Sequence, residues 1–272
     1  MRSIDLNCDM GESFGAYSIG ADRAVMPNIS SASVACGYHA GDPAVMRTTV
    51  RLAREAGVSV GAHPGFPDLA GFGRRDMKLT PAEVEDMVLY QVGALAAIAR
   101  SEGVALRHVK AHGALYNMAA RDAGLADAIA RATRAFDPAL VLFGLPGSEL
   151  LRAGRDAGLA VASEGFADRA YEPDGSLTPR SRAGSVIHDA GEVVARAVRM
   201  VSEGRVRATN GADIDLRVDT LCVHGDTPGA AELTRQLRSG LERAGMMIKA
   251  SARGPSEAPA SLRQGYGGPP KP

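Results

Sequence analysis

Ser3-Ile4-Asp5-Leu6-Asn7-Cys8-Asp9 is the stretch on which the fold turns. Side chains alternate across a strand, so Ile4, Leu6 and Cys8 share one face while Asp5, Asn7 and Asp9 share the other. A parallel strand covered on both faces reads as an uninterrupted aliphatic run, because an ionised carboxylate without partners is expensive to bury. This strand must therefore border a polar interior. The phasing recurs downstream: His108, Lys110 and His112 oppose Val109 and Ala111, and Cys222, His224 and Asp226 oppose Leu221 and Val223.

Further β-type runs fall at 29–36, 58–63, 108–112, 140–145, 160–166 and 220–224, seven with the first. Ala-rich helical segments lie between them, at 43–56, 80–102, 119–136, 148–157, 190–203 and 230–244. Thr80-Pro81-Ala82-Glu83 predicts a capped helix start, and Gly57, Gly158, Gly204 and Gly245 predict stops. Strand follows helix each time, which is α/β architecture with a parallel sheet. Periodicity alone fits a closed (β/α) barrel and an open doubly wound sheet alike. Asn210-Gly211 predicts a hairpin insertion between Val206 and Val218, and a long irregular segment spans 168–187. Residues 1–250 read as one barrel domain, and the Gly/Pro-rich stretch 251–272 as a disordered tail.

Composition narrows the function. Of 272 residues, 31 are Lys or Arg and 31 are Asp or Glu, so no basic field exists to draw nucleic acid or an anionic membrane surface. Hydrophobic residues make up 45% and aromatics 4%, with no Trp, so the core is aliphatic. Cys8, Cys36 and Cys222 are odd in number and widely spaced, which argues against a disulfide scaffold or zinc ribbon. The opening MRSIDLNCDMGE has no apolar leader, and no later run approaches a membrane span; the expectation is a soluble, cytoplasmic chain.

Chemistry-bearing residues gather where strands give way to helices. Asp9, Glu12, His39, Asp42, His63, His112, His224 and Asp226 lie at the carboxyl ends of the β runs or in the Gly-containing turns after them, and in a parallel barrel those ends meet at one mouth. None of the six histidines falls inside an expected helix. Lys110 alone among the four lysines sits mid-strand on the polar face, where an ammonium needs a carboxylate partner, Asp5 or Asp9, or an anionic ligand. Arg74, Arg75 and Arg169 stand in loops where they would clamp a carboxylate or phosphate. Walker, GxGxxG, HExxH and GxSxG patterns are absent.

Taken together, DLNCDMGESFG, VACGYHAGDP, GAHPGFPDLAGFGRRDM, VKAHGALYN, EGFADRAYEPDGSLTPR and VHGDTPGA, in this order, resemble the LamB/YcsF family over roughly residues 1–250. The resemblance implies a seven-stranded (β/α) barrel of the glycoside hydrolase/deacetylase type. It also implies one component of an ATP-hydrolysing 5-oxoprolinase, which opens the lactam of 5-oxo-L-proline to L-glutamate as ATP becomes ADP and phosphate, with two partner subunits similar to allophanate hydrolase halves. Such chemistry asks for cations, for carboxylates and for an acid/base titrating near neutrality. Asp9, Glu12, His39, His63, Lys110 and His112 are the catalytic candidates; Arg74, Arg75, Lys110, Arg169, His224 and Asp226 are those for nucleotide or anion. A divalent metal would be magnesium on carboxylates, or zinc or manganese on Asp with two His. Competing readings are a stand-alone metal-dependent amidohydrolase or deacetylase, and a noncatalytic subunit that binds a small acid.

Overall fold

Every expected β run forms a strand, and all seven pair in parallel. They are β1 (Ser3–Met10), β2 (Ser31–Ala35), β3 (Ser59–His63), β4 (Leu106–Lys110), β5 (Val141–Gly144), β6 (Ala160–Phe166) and β7 (Thr220–His224). The computed structural model describes residues 2–224 and 229–251. Sheet order follows chain order, and β7 pairs back onto β1 through Asp5↔Thr220, Asn7↔Cys222 and Asp9↔His224, which closes the barrel and rules out the open sheet. A two-residue strand, Met247–Ile248, extends the sheet beside the start of β1.

Closure fixes which side chains point inward. The pairings Asn7↔Ser31, Asp9↔Ser33, Ser33↔Gly61 and Ala35↔His63 carry the polar face of β1 around the lumen. Ile4, Leu6 and Cys8 point outward into one aliphatic core shared with helix residues such as Val50, Val88, Leu95 and Ile129. Burying each such side chain contributes about 1.5–3 kcal/mol, so the outside of the barrel rather than its lumen carries most of the stabilisation.

The helices begin and end as their sequences dictate. Asp42 caps Pro43–Ala56 by accepting from the amides of Ala44 and Val45, and Gly57 ends that helix in the left-handed conformation. Thr80 and Glu83 form the capping box of Pro81–Ser101. The continuous helix expected at 119–136 is instead two, Gly113–Ala119 and Ala123–Phe136, because Asp122 turns its carboxylate to the Leu125 amide and starts a new helix. Arg205–Arg207 pairs antiparallel with Asp213–Asp215 around Asn210-Gly211, the expected hairpin. The segment 168–187 folds back on itself through the bridges Arg169↔Val186 and Tyr171↔Leu177. The expected tail from residue 252 on and Asp226 lie outside the described residues, as does the side chain of His224.

The lower lumen is a polar layer with its partners built in. Asp5 is buried, and it accepts from the hydroxyls of Ser30 (2.6 Å), Ser31 (2.8 Å) and Thr220 (2.7 Å) rather than from a cation. Burial raises its carboxyl above the ordinary value in spite of those donors. His108 stacks on Phe143 with centroids 4.3 Å apart and meets the Ser33 hydroxyl at 3.0 Å. Its ring occupies the space beside Gly61, where a Cβ would come within 2.3 Å of it. Burial, helped by Lys110, pushes His108 down to about 3, so the imidazole is neutral.

Candidate active site

Lys110, the last residue of β4, points into the upper lumen and is buried. Its Nζ lies 2.8 Å from Asp9 Oδ1 and 2.7 Å from Glu164 Oε1, and it also donates to Asn7 Oδ1 (3.2 Å) and contacts Cys222 Sγ (3.0 Å). Burial works against the ammonium, yet the carboxylates of Asp9 and Glu164 outweigh it and hold Lys110 well above the ordinary lysine value. Lys110 is thus a permanent cation. The ion pair anticipated with Asp5 or Asp9 is made with Asp9, and Glu164 is a second partner that sequence reasoning missed. The signal was there: Glu164 is the one charged residue in the otherwise small and apolar run AVASEGF.

Three histidines gather beside this cation. His63 ends β3, His39 follows β2 and His112 follows β4, so adjacent strand ends deliver all three. His63 Nδ1 is bonded to the carbonyl of Lys110 at 2.8 Å, and His112 Nε2 to the carbonyl of Phe72 at 2.8 Å. Their other nitrogens, His63 Nε2 and His112 Nδ1, lie 2.9 Å apart. His39 stacks flat on His112, with centroids 3.8 Å and planes 2° apart, and neither of its ring nitrogens has a hydrogen-bond partner. Asp9 Oδ2 lies 3.4 Å from His63 Nε2, and Glu12 Oε1 3.7 Å from His112 Nδ1. Glu12, His39, His63 and His112 each offer a donor atom within 4.8 Å of the others, a buried group able to bind a metal ion. Burial, with His112 and His63 for His39 and with His63 for His112, keeps both of those imidazoles well below the usual histidine value.

The backbone is shaped to hold these rings. Phe72, at φ 55, is the one non-glycine residue with positive φ among the described residues, a conformation that costs about 1–3 kcal/mol. That strain aims its carbonyl at His112. Gly73, at φ 63, lets the loop press against the rings, since a Cβ there would come within 2.8 Å of His39 Cβ and 2.9 Å of His112 Cδ2.

Above the rings opens a cavity of about 730 Å³ whose lining includes Asp9, Glu12, His63, Lys110 and His112. Four arginines, Arg74, Arg121, Arg169 and Arg180, also line it, and Thr178 and Arg180 come from the folded-back segment 168–187. Arg74 lies 4.8 Å from the centre of the Phe72 ring. Arg169 is buried and donates to the carbonyls of Ser185 (3.1 Å) and Thr178 (2.6 Å), so it pins this segment as well as facing the cavity. Burial, with Arg180 nearby, lowers it to about 10. Arg75 is not brought to the cavity: it turns away to Asp68 and is two-thirds exposed. Tyr116 lines the wall with its hydroxyl buried, and burial, with Glu164 beside it, raises its pKa well above the ordinary tyrosine value. Sequence reasoning quoted Tyr116 within KAHGALYN without singling it out; Arg121 fell in the expected helix 119–136 and Arg180 in the long irregular segment, both places where an arginine is usually solvated.

Residues 4–255 match the model of the LamB/YcsF family. A relative in Symbiobacterium thermophilum, named as the A component of 5-oxoprolinase, is 58% identical over 250 residues, covering 92% of this chain and 96% of that one. Its namesake in Bacillus subtilis is 52% identical over 250 residues, covering 92% and 97%. The crystal structure of a lactam utilization protein from Thermus thermophilus superposes with a TM-score of 0.88 at 52% identity, covering 92% of this chain and all of the other. No helix among the described residues is long and apolar enough to cross a membrane.

Proposed function

The chain belongs to the LamB/YcsF family, and from that premise we propose that it is the component of an ATP-dependent 5-oxoprolinase in which the lactam of 5-oxo-L-proline is opened to L-glutamate. The observation that carries the reading is the buried Lys110 ammonium, locked between Asp9 and Glu164 at the floor of an arginine-walled cavity, in a chain more than half identical to relatives named for that activity.

A five-membered lactam is a poor electrophile. Transfer of the γ-phosphoryl group of ATP to its carbonyl oxygen, with ADP leaving, makes the carbonyl carbon open to water. Addition of one water and rupture of the C–N bond, with a proton passing to the ring nitrogen, yields a γ-carboxyl phosphate. A second water releases phosphate and leaves glutamate. The reaction puts negative charge on oxygen at each stage, and Lys110 supplies a fixed positive charge in a site largely shielded from water, where such a charge counts most. On this reading the carboxylate of Asp9 orients and deprotonates the attacking water, and the Tyr116 hydroxyl, whose pKa burial holds high, donates a hydrogen bond into the same cavity. Arg74, Arg121, Arg169 and Arg180 suit the carboxylate of the substrate and the phosphoryl group.

The test is turnover. This chain alone should release little glutamate from 5-oxoproline, and the full rate should appear only with ATP and two partner subunits similar to allophanate hydrolase halves. Rapid turnover without nucleotide would defeat the reading. It would favour instead a stand-alone metal-dependent amidohydrolase, for which the Glu12/His39/His63/His112 group is the motivating observation.

A further inference from the structure

Arg169 is the one buried arginine among the described residues. Its guanidinium donates to backbone carbonyls, Ser185 O at 3.1 Å and Thr178 O at 2.6 Å, and no ion pair among the described residues includes it. A buried charge is normally paired with an opposite one, because leaving water uncompensated is costly. Of the charges that act on this one, Arg180 and Arg74 share both its sign and the cavity wall, and Asp168 opposes them. An anion entering the cavity would complete the pairing.

The strand before Arg169 selects which anion. Near its end β6 turns two side chains inward: Glu164, 2.7 Å from Lys110 Nζ, and Phe166, which lines the cavity with its ring centre 5.5 Å from the same atom. The turn that follows, in which the Arg169 amide donates to Phe166 O at 3.4 Å, carries Arg169 to the same wall. A lactam whose carbonyl oxygen meets Lys110 lays the apolar edge of its ring on Phe166. In 5-oxoproline the carboxylate sits on the other carbon bonded to the ring nitrogen, so it then points away from Lys110 and along β6 towards Arg169. The phosphoryl group joins the carbonyl oxygen and stays at the Lys110 end.

Arg169 is also the link between the cavity and the segment 168–187. Its two carbonyl partners flank the exposed tip of that segment, residues 180–184, and Leu177, Thr178 and Arg180 turn towards the cavity from it. The base of the segment is anchored separately: the Tyr171 hydroxyl accepts from the Phe166 amide at 2.8 Å, and Thr209 of the hairpin donates to Tyr171 O at 2.8 Å and to Glu172 at 3.0 Å. We propose that Arg169 recognises the carboxylate of the lactam and, in doing so, latches the tip of this segment over the bound molecule. The inference rests on the reaction proposed above, and it adds the group that tells 5-oxoproline from a lactam without a carboxylate.

The test is limited trypsin digestion of the full chain, with mass spectrometry following the cuts after Arg180 and Arg182, both at the exposed tip. At about ten times its Kd, 5-oxoproline should slow those cuts about tenfold. Tetrahydro-2-furoate, which has the ring and the carboxylate without the lactam, should slow them too, and 2-pyrrolidinone, the lactam without the carboxylate, should not. Arg169→Lys keeps the charge and loses the planar fork. It should abolish the protection and weaken 5-oxoproline binding in calorimetry by about 10–100-fold. Equal protection by 5-oxoproline and 2-pyrrolidinone, protection by neither carboxylate, or undiminished protection in Arg169→Lys would each overturn the latch. Should that variant fail to fold by circular dichroism, the comparison of the two lactams on the wild-type chain decides on its own. Glutamate release separates latch from reaction. Normal KM and turnover of the assembled enzyme carrying Arg169→Lys would sink the latch and spare the reaction; carboxylate-dependent protection in a chain whose assembled enzyme opens no 5-oxoproline would do the reverse.

Discussion

The barrel encloses two polar layers only a few residues apart along the same strands, and they are built on opposite plans. In the lower layer, around Asp5 and His108, each polar group faces a neutral partner: three hydroxyls for the carboxylate, one hydroxyl and a stacked Phe143 for the imidazole. In the upper layer, around Lys110, charges face charges, two imidazole nitrogens stand 2.9 Å apart, and neither buried ring nitrogen of His39 has a hydrogen-bond partner. Buried polar groups are normally paired. A layer that satisfies itself serves the fold, and a layer left incomplete awaits something from outside.

The largest effect should come from Lys110→Met, which strands Asp9 and Glu164 as uncompensated buried carboxylates. Stability should fall by about 3–5 kcal/mol in a denaturant titration, and 5-oxoproline turnover by the assembled enzyme by about a thousandfold. Full turnover in that variant would erase the distinction between the layers.

Asp5→Asn should cost about 1–3 kcal/mol, because one hydroxyl loses its acceptor, while turnover is unchanged. Its pH dependence sharpens the point. Burial raises the folded Asp5 above its ordinary 3.8, so the folded state holds that proton longer than the unfolded chain. The stabilisation is complete below 3.8 and is lost as pH rises through the folded value. The gap in melting temperature between wild type and Asp5→Asn should therefore be wider in acid than at neutrality; a gap that narrows in acid would show that Asp5 has a cationic partner after all.

Smaller still is the split between adjacent arginines. Arg74→Ala, on the cavity wall, should raise KM for 5-oxoproline or ATP about tenfold, worth about 1.4 kcal/mol, whereas Arg75→Ala, paired with Asp68, should leave it unmoved. Equal effects would mean that the loop reorganises around substrate. The smallest prediction concerns Glu102, which ties two helices together outside the barrel by accepting from Arg51 (2.8 Å) and Arg47 (2.5 Å). Those bonds hold its carboxyl at about 2, below the ordinary 4.5. The contribution is present above 4.5 and disappears as pH falls towards 2, opposite in sign to Asp5. Melting curves of Glu102→Gln and wild type should converge over that window, and salt should weaken the difference.

Much of this was legible in one dimension. The alternation of Asp5, Asn7 and Asp9 with Ile4, Leu6 and Cys8 specified a polar lumen, because period two is set by backbone geometry alone. Helix starts such as Thr80 were legible for the same reason, since a cap is a local bond. What escaped is what closure creates. Glu164 comes within 2.7 Å of Lys110 only because β6 and β4 curve around one axis, and Arg74 is told from Arg75 only by the turn at Phe72. The break of the 119–136 helix was missed because Ala, Arg and Asp at 120–122 carry no strong stop.

The seam between β1 and β7 joins residue 5 to residue 220. During synthesis on the ribosome, the first strand is made early, but its row of Asp and Asn finds no lasting enclosure until about four-fifths of the polypeptide has emerged. Any fragment ending before Thr220 leaves the cylinder open, with Asp5 robbed of a hydroxyl and Lys110 of its sulfur neighbour. Proteases and chaperones would therefore meet the nascent chain as an unsealed shell until the last strand of the barrel arrives.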